Sequence, residues 1–392
     1  MKLKQSPDDF RVEEKTAVTP GHDGPYAFYL LEKRNWNTPD AVENIRRRWK
    51  IDRRRFSFGG LKDRHAHTTQ YLTIFHGPKR NLSQTGLSLH YLGQVAQEFT
   101  SDDISANRFT IALRALSAPH LEAALQSLEE ITIVGVPNYF DDQRFGSVHN
   151  TQAFIAKEMV LGNFEQAAKL ALTAPYEHDG ADAKKEKAVL LAHWGNWPAC
   201  RARLRSGPAR QVIEYLEHHP DDFRGGLARL HPELQGLYLA AWQSHLWNRM
   251  LAYWLETNLP EDRRSYLSLQ LGSLPVPKMM SPELLKQWET LVLPLPSARL
   301  RFDPSAVWAS LVEKVMSEEG IALEEMKIKG MRKPFFSRGD RAALIRPDQL
   351  TYTIEPDEKH SGQSKLVLQF ELPRGAYATM IVKRATRISA AA

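Results

Sequence analysis

The stretch Val136-Pro-Asn-Tyr-Phe-Asp-Asp-Gln-Arg-Phe-Gly146 marks the point where the texture of this sequence changes, and the fold reading turns on it. Upstream, the first 115 residues read as mixed helix and strand. Thr38-Pro39-Asp40 predicts a helix start, and Val42, Ile45 and Trp49 follow at helical spacing. β-rich runs come at Tyr71–Phe75 and Arg108–Leu113, and Pro119 opens a helix with Leu121, Leu125 and Leu128 on one face. Downstream of Gly146, residues 151–172 and 188–257 carry helical patterns, separated by a polar, mobile break at Glu177–Lys187. Pro304-Ser305 predicts one more helix, with Val307, Leu311, Val312 and Val315 as its stripe and Gly320 as its stop. From about Lys327 the strand texture returns, most clearly in Leu366–Leu372 and Ala376–Val382. The expected class is therefore α+β: one domain built from both chain ends, interrupted by a mainly helical insertion. Its expected limits are 1–150 with 335–392, the insertion taking 151–334. Gly162-Asn-Phe and Gly195-Asn-Trp echo one another 33 residues apart, but a helical solenoid needs about three copies and the sequence holds no third.

Length and composition agree with that organisation. A chain of 392 residues with 42% hydrophobic and 25% charged residues can bury a large core without staples. The single cysteine, Cys200, excludes an intrachain disulfide framework and predicts an inert buried thiol in a reducing compartment. No apolar run approaches the roughly 20 residues of a membrane helix, and the start, Met1-Lys-Leu-Lys-Gln-Ser-Pro, lacks a signal-peptide core. A cytoplasmic protein is expected.

Net charge is only 52 − 46 = +6, but its distribution is uneven. From Arg46 to Arg64 nine Lys or Arg face two acids, Asp52 and Asp63, and Lys327 to Arg341 holds six cations against Asp340. Trp49, Phe56 and Phe58 interleave the first block, Phe335 and Phe336 the second. Cations that neutralise phosphates beside aromatic faces that can stack on bases form a nucleic-acid pattern. Two solvated faces with core aromatics behind them would read the same way.

Chemistry concentrates in Phe56-Ser-Phe-Gly-Gly-Leu-Lys-Asp-Arg-His-Ala-His-Thr-Thr-Gln70. Gly59-Gly60 permits close backbone approach or positive φ. Asp63 stands between Lys62 and Arg64, where neighbouring cations favour an ionised carboxylate that can act as nucleophile or base. A turn aspartate in a surface ion pair would carry the same residues. The run lacks the spacing and hydroxyl of a phosphate-binding P-loop, and His65-x-His67 with His76 matches no metal pattern. In Val136–Gly146, Asn138 can address a base edge and Phe140 can stack on a ring, whereas Tyr139 and Phe145 suit a core.

The ordered blocks together resemble the TruD family of tRNA pseudouridine synthases. They are Pro7-Asp-Asp-Phe10-x-Val-Glu-Glu14, Phe58-x-Gly-Leu-Lys-Asp63, Asn107-Arg-Phe-Thr-x-x-Leu-Arg114, the Val136–Gly146 stretch, Tyr238-Leu-x-Ala-x-Gln-Ser-x-Leu-Trp-Asn248 and Leu372-Pro-Arg-Gly-x-Tyr-Ala-Thr379. The resemblance implies isomerisation of uridine to pseudouridine in tRNA, typically at position 13, without cofactor or metal. It implies a pseudouridine-synthase-type catalytic domain with a mixed, mainly antiparallel sheet, interrupted by a family-specific insertion. Matched residue by residue, Asp63 looks like the catalytic aspartate and Lys4 like its basic partner. Phe10, Asn138, Phe140 and Tyr377 fall where the family lines its uridine pocket, with Lys62 assigned to substrate binding beside them. Tyr377 stands where some relatives carry Phe. Arg53, Arg54, Arg55, Arg64, Arg338 and Arg341 form the expected RNA-binding patch, with tRNA as partner and no membrane or obligate protein partner. The Gln243–Asn248 block reads as scaffold. A catalytically silent RNA-binding or folding protein on the same scaffold is the alternative.

Overall fold

The structure, a computed structural model, describes residues 1–148, 153–175, 179–331 and 334–386. The chain divides into two compact units, one of Met1–Val136 with the C-terminal segment from Ile345, the other of Pro137–Leu344.

The first unit is organised by one sheet. Across it the strands run Asp348–Pro356, Ser364–Leu372, Ile104–Leu116, Phe10–Thr16, His67–Phe75, Tyr26–Arg34, Leu87–Val95 and Leu82–Gln84. Lys2–Leu3 adds to Ile104–Leu116, and Phe56–Phe58 adds to His67–Phe75. Of these pairings only Phe10–Thr16 with His67–Phe75 is parallel, in register Arg11↔His67, Val12↔Thr68 and Glu13↔Thr69. The mixed, mainly antiparallel sheet is thus as expected, and its one parallel pair decides the site. Two parallel strands enter a sheet from the same end, so the segments that precede them, around Lys4 and around Asp63, arrive side by side.

Helix Thr38–Trp49 covers part of this sheet. The Asn37 side chain accepts from the Asp40 amide, Pro39 sits in the first turn, and Lys50 ends the helix in a left-handed conformation (φ 55°). Ala41, Val42 and Ile45 bury against Tyr29, Leu31, Leu72, Ile74 and Leu89. The strand at 108–113 extends to Ile104–Leu116, and the helix from Pro119 spans Ala118–Val134. Its buried face is Ala124, Ser127, Leu128, Ile131 and Val134, so Leu121 and Leu125 are off-centre. That helix packs against Ala378–Thr386, which corrects the expected strand at Ala376–Val382. Met380-Ile-Val382 looks like a buried strand, but Ala378, Ile381, Val382 and Ala385 bury at helical spacing.

The second unit is mainly helical, as expected of the insertion, and centres on Pro232–Asn258, whose Trp242, Leu246, Trp247 and Leu251 are fully buried. The expected limits at 150/151 and 334/335 differ from the observed division, because this helix gathers both flanking segments. Asn248 grips the backbone of Phe140, and the Gln243 side-chain amide donates to the carbonyls of Pro296 and Ser337. Such contacts leave no trace in sequence texture. Of the polar break, Glu177 lies outside the described residues, while Ala181–Ala192 forms a helix; its Ala, Lys and Glu are strong helix formers whatever their polarity. The helix expected from Pro304 begins only at Ala309: Asp303 accepts from the Ser305 amide and hydroxyl in a local turn, and Val307 is exposed. The two Gly-Asn-aromatic echoes are helix joints, with Gly162 and Gly195 at φ 85° and 87°. Arg332 and Lys333 of the second basic block lie outside the described residues.

Candidate active site

Asp63 stands on the loop from Gly59, just ahead of the strand His67–Phe75, with its side chain 42% exposed. Lys4, ahead of the parallel strand, places its ammonium 2.8 Å from Asp63 Oδ2. The same ammonium lies 4.1 Å from the centre of the Phe10 ring, so it is held between a carboxylate and an aromatic face. Lys4 has φ 55°, a left-handed backbone that a non-glycine residue adopts at a cost. Phe10 is buried and meets Phe109 edge-on.

Beneath the exposed carboxylate the loop is fastened at nearly every residue. A Cβ on Gly59 would lie 2.5 Å from Ile104 Cδ1, which is the close approach its glycine permits. Gln70 donates to the Gly60 carbonyl at 3.1 Å, and Thr38 Oγ1 accepts from the Lys62 amide at 3.0 Å while donating to Gln70 at 2.7 Å. Lys33, fully buried on the strand Tyr26–Arg34, donates to the carbonyls of Trp36 (2.7 Å), Lys62 (3.1 Å) and Asp63 (2.9 Å). An ammonium has three hydrogens, and here each meets one carbonyl. Burial pushes Lys33 down to about 8, with the charge of Asp63 opposing. Nothing in the sequence marked Lys33; a lysine near the end of an alternating strand reads as solvent-facing.

Lys62 also turns inward. Its ammonium donates to Asn107 Oδ1 at 2.7 Å and lies 3.6 Å from the carboxylate of buried Glu14. Burial pushes Glu14 up and Lys62 down, and each charge opposes the shift of the other. Lys62, expected beside the substrate, here engages Asn107 and Glu14 on the loop's underside. Arg114 does similar work for the N-terminal segment: it binds buried Asp9 at 2.9 Å and Asp357 at 3.0 Å, and Lys2 pairs with it in register. Asp9 accepts in turn from the Ser6 amide at 3.0 Å. Glu14, Asn107 and Arg114 all belong to the ordered sequence blocks, and all of them hold rather than react. Tyr377 is half-buried at the turn before Ala378–Thr386, its carbonyl accepting from the Met380 amide.

Within the second unit Asn138 and Phe140 form a separate cluster. Asn138 donates to the Ala342 carbonyl at 2.9 Å, and its own carbonyl accepts from Arg341 Nε at 2.9 Å. Arg341 also donates to Asn138 Oδ1 and lays its guanidinium 4.1 Å from the Phe140 ring centre. Arg144 approaches the same ring at 5.2 Å, and Trp247 meets it edge-on. Asn248 accepts from the Phe140 amide at 2.8 Å and donates to its carbonyl at 2.9 Å. In the Gln243–Asn248 block both end residues are buried and bonded to backbone groups.

The expected basic patch is partly committed to the protein. Arg55 donates to the carbonyls of Phe75 and His76, Arg54 pairs with Asp52, and Arg53 lies over Phe58. Arg64 and Arg338 are exposed with no partner among the described residues. His67 is held by Asp8 and Glu32, and no group of His, Cys, Asp and Glu among the described residues is arranged to hold a metal. Cys200 is buried, and burial pushes its thiol up. Among the described residues no helix is long and apolar enough to cross a membrane.

The family model described as tRNA pseudouridine synthase D (TruD) matches residues 1–385. A Methanocaldococcus jannaschii protein named "Probable tRNA pseudouridine synthase D 2" is 32% identical over 98% of this chain and 91% of its own length. "tRNA pseudouridine synthase D" of Aquifex aeolicus is 28% identical over 98% of this chain and 97% of its own. A crystal structure of a Methanosarcina mazei protein bearing the family name TruD superposes with a TM-score of 0.73 at 27% identity, covering 99% of this chain and 94% of that one.

Proposed function

The chain belongs to the TruD family of tRNA pseudouridine synthases, and we propose that it isomerises its tRNA uridine through Asp63, at position 13 and in the cytoplasm. The first unit is proposed as the catalytic domain and the second as the family-specific insertion. The observation that carries the reading is the Lys4–Asp63 pair at 2.8 Å, the exposed part of a loop whose backbone is otherwise pinned.

The target base first leaves the RNA stack, at a cost of a few kcal/mol. Exposed cations such as Arg64 and Arg338 offset that cost through phosphate contacts. The N1–C1′ bond then breaks, the uracil turns, and C5 bonds to C1′; C5 gives up one proton and N1 takes one, so nothing is oxidised or hydrolysed. The Asp63 carboxylate supplies the electron pair, or takes the proton, that opens the glycosidic bond. Lys4 fixes which carboxylate oxygen faces outward, and Phe10 supports the ammonium from below. Lys33 and Lys62 hold the loop in register with Lys4, so the carboxylate pays little to reach its reacting position. Tyr377 offers its half-buried ring to a base, whereas Phe140 lies buried beneath Arg341, which Asn138 holds in place.

The test is to map pseudouridine in tRNA treated with the wild-type protein and with Asp63→Asn. Modification by the wild type and none by the variant supports the role of Asp63; a modified uridine made by the variant overturns it. A silent RNA-binding scaffold would leave both samples unmodified.

A further inference from the structure

One part of the second unit enters the reading above only through Arg338. The loop 295–301 and the segments 326–331 and 334–339 contain no Asp or Glu, yet they carry Arg299, Arg301, Lys327, Lys329 and Arg338. None of these five has a carboxylate partner among the described residues. Several other arginines of the unit are paired, Arg201 with Glu217, Arg210 with Glu214, and Arg249 with Glu318 and Glu319.

These segments enclose a cavity of about 390 Å³. Adjacent phenylalanines have opposite fates there. Phe336 is buried and meets Trp242 edge-on, whereas Phe335 is 53% exposed with the Arg299 guanidinium 4.2 Å from its ring centre. The walls are held from below, because Gln243 binds the carbonyls of Pro296 and Ser337 and the Leu295 amide donates to Gly339. Met326 and Ile328 add apolar lining, and Lys327 and Glu324 stand at the rim. Ser297 lines the cavity too, and its hydroxyl is buried with no hydrogen-bond partner. A buried hydroxyl is rarely left unpaired.

We infer that Phe335, Arg299 and Ser297 form a stacking site for one unpaired nucleotide of the RNA substrate. The base lies on the exposed Phe335 face, Ser297 meets a polar base edge, and Arg299 with Lys327 receives the flanking phosphate. The volume suits a single nucleotide, being within the roughly 300–1,000 Å³ of small-ligand sites. An apolar peptide would leave five unpaired cations without purpose, and a phosphate alone would not use the ring. This inference rests on the reading of tRNA as substrate, and it adds an RNA contact made by residues distinct from those around Asp63.

Binding of a tRNA transcript to the full chain is measured across a salt series for wild type, Phe335→Ala, Phe335→Trp and Lys327→Gln, with melting curves to verify folding. Loss of one base–aromatic stack weakens binding by about five- to a hundredfold in Phe335→Ala, and Phe335→Trp restores it. Lys327→Gln lowers the slope of log affinity against log salt by about one. Equal binding by wild type and folded Phe335→Ala, with an unchanged salt slope in Lys327→Gln, overturns the site. Pseudouridine is assayed in the same samples: weakened binding without any wild-type turnover would overturn the proposed reaction and keep the site, whereas turnover with unaltered binding would overturn the site alone.

Discussion

The Gly59–Asp63 loop and the Val136–Gly146 segment are both rigid, but opposite chemistries make them so. The first is held by buried charge: Lys33 beneath three carbonyls, Lys62 against Glu14 and Asn107, Lys4 against Asp63. The second is held chiefly by neutral amides, with Asn248 bridging both backbone groups of Phe140 and Asn138 tied to Ala342. Charges buried beneath a loop are costly to place and costlier to leave unpaired, and their strength depends on pH. Amide clamps are indifferent to pH and fail only when a partner is removed. The loop that presents the exposed Asp63 carboxylate is therefore the one whose hold responds to protons.

The largest expected effect is at Lys33. Lys33→Met leaves three part-buried carbonyls without the Lys33 donor, so unfolding by urea should show a loss of about 3 kcal/mol or more. Pseudouridine formation should fall at least about a hundredfold, since the loop that aims Asp63 is released. The unmutated protein offers a sharper form of the same test. Lys33 titrates at about 8 in the folded chain against 10.5 ordinarily. Between those values the unfolded chain binds more protons, so through this group stability rises with pH. The neutral amine, however, has two hydrogens for three carbonyls, so activity should fall as pH passes about 8. Activity lost above that pH, with melting midpoints undiminished by this group, separates a loosened loop from a destabilised fold. A parallel fall of both would break the contrast.

Next comes the amide clamp. Asn248→Ala removes both hydrogen bonds that Asn248 makes to the Phe140 backbone and should cost about 2–4 kcal/mol in urea unfolding, equally at pH 7 and pH 9. Asn248→Asp buries a carboxylate oxygen against the Phe140 carbonyl, so its cost should be at least as large and, unlike that of Asn248→Ala, should grow with pH. A strong pH dependence in Asn248→Ala would erase the distinction between the two loops. The smallest effect is expected at Arg64, which is exposed and has no partner among the described residues. Arg64→Gln should leave melting unchanged and lower the salt slope of tRNA binding by about one.

The α+β organisation and the helical insertion were legible because hydrophobic periodicity survives in single sequence. The helix at Thr38 announced itself by Thr38-Pro39-Asp40 and the spacing of Val42, Ile45 and Trp49. Short segments misled: Met380-Ile-Val382 is apolar in either secondary structure, and Pro304 lost its helix to a side-chain turn at Asp303. The Lys4–Asp63 pairing was reached through family resemblance; no spacing rule joins residues 59 positions apart. It follows physically from the parallel pairing of Phe10–Thr16 with His67–Phe75, which sequence does not reveal. Lys33 was illegible because burial, not residue type, gives it its task. The inward path of Lys62 to Glu14 and Asn107 was equally hidden, because its partners lie 48 and 45 positions away in sequence.

The claim that matters most is that the exposed carboxylate of Asp63, and not the loop as a scaffold, performs the isomerisation. Single-turnover pseudouridine formation by Asp63→Asn, with tRNA affinity and melting measured on the same preparation, tests it most directly. The expected result is a rate reduced by at least about ten-thousandfold, with affinity within about threefold of wild type and an unchanged melt. Pseudouridine formed at a rate near that of the wild type, by a variant that folds and binds tRNA, would contradict it.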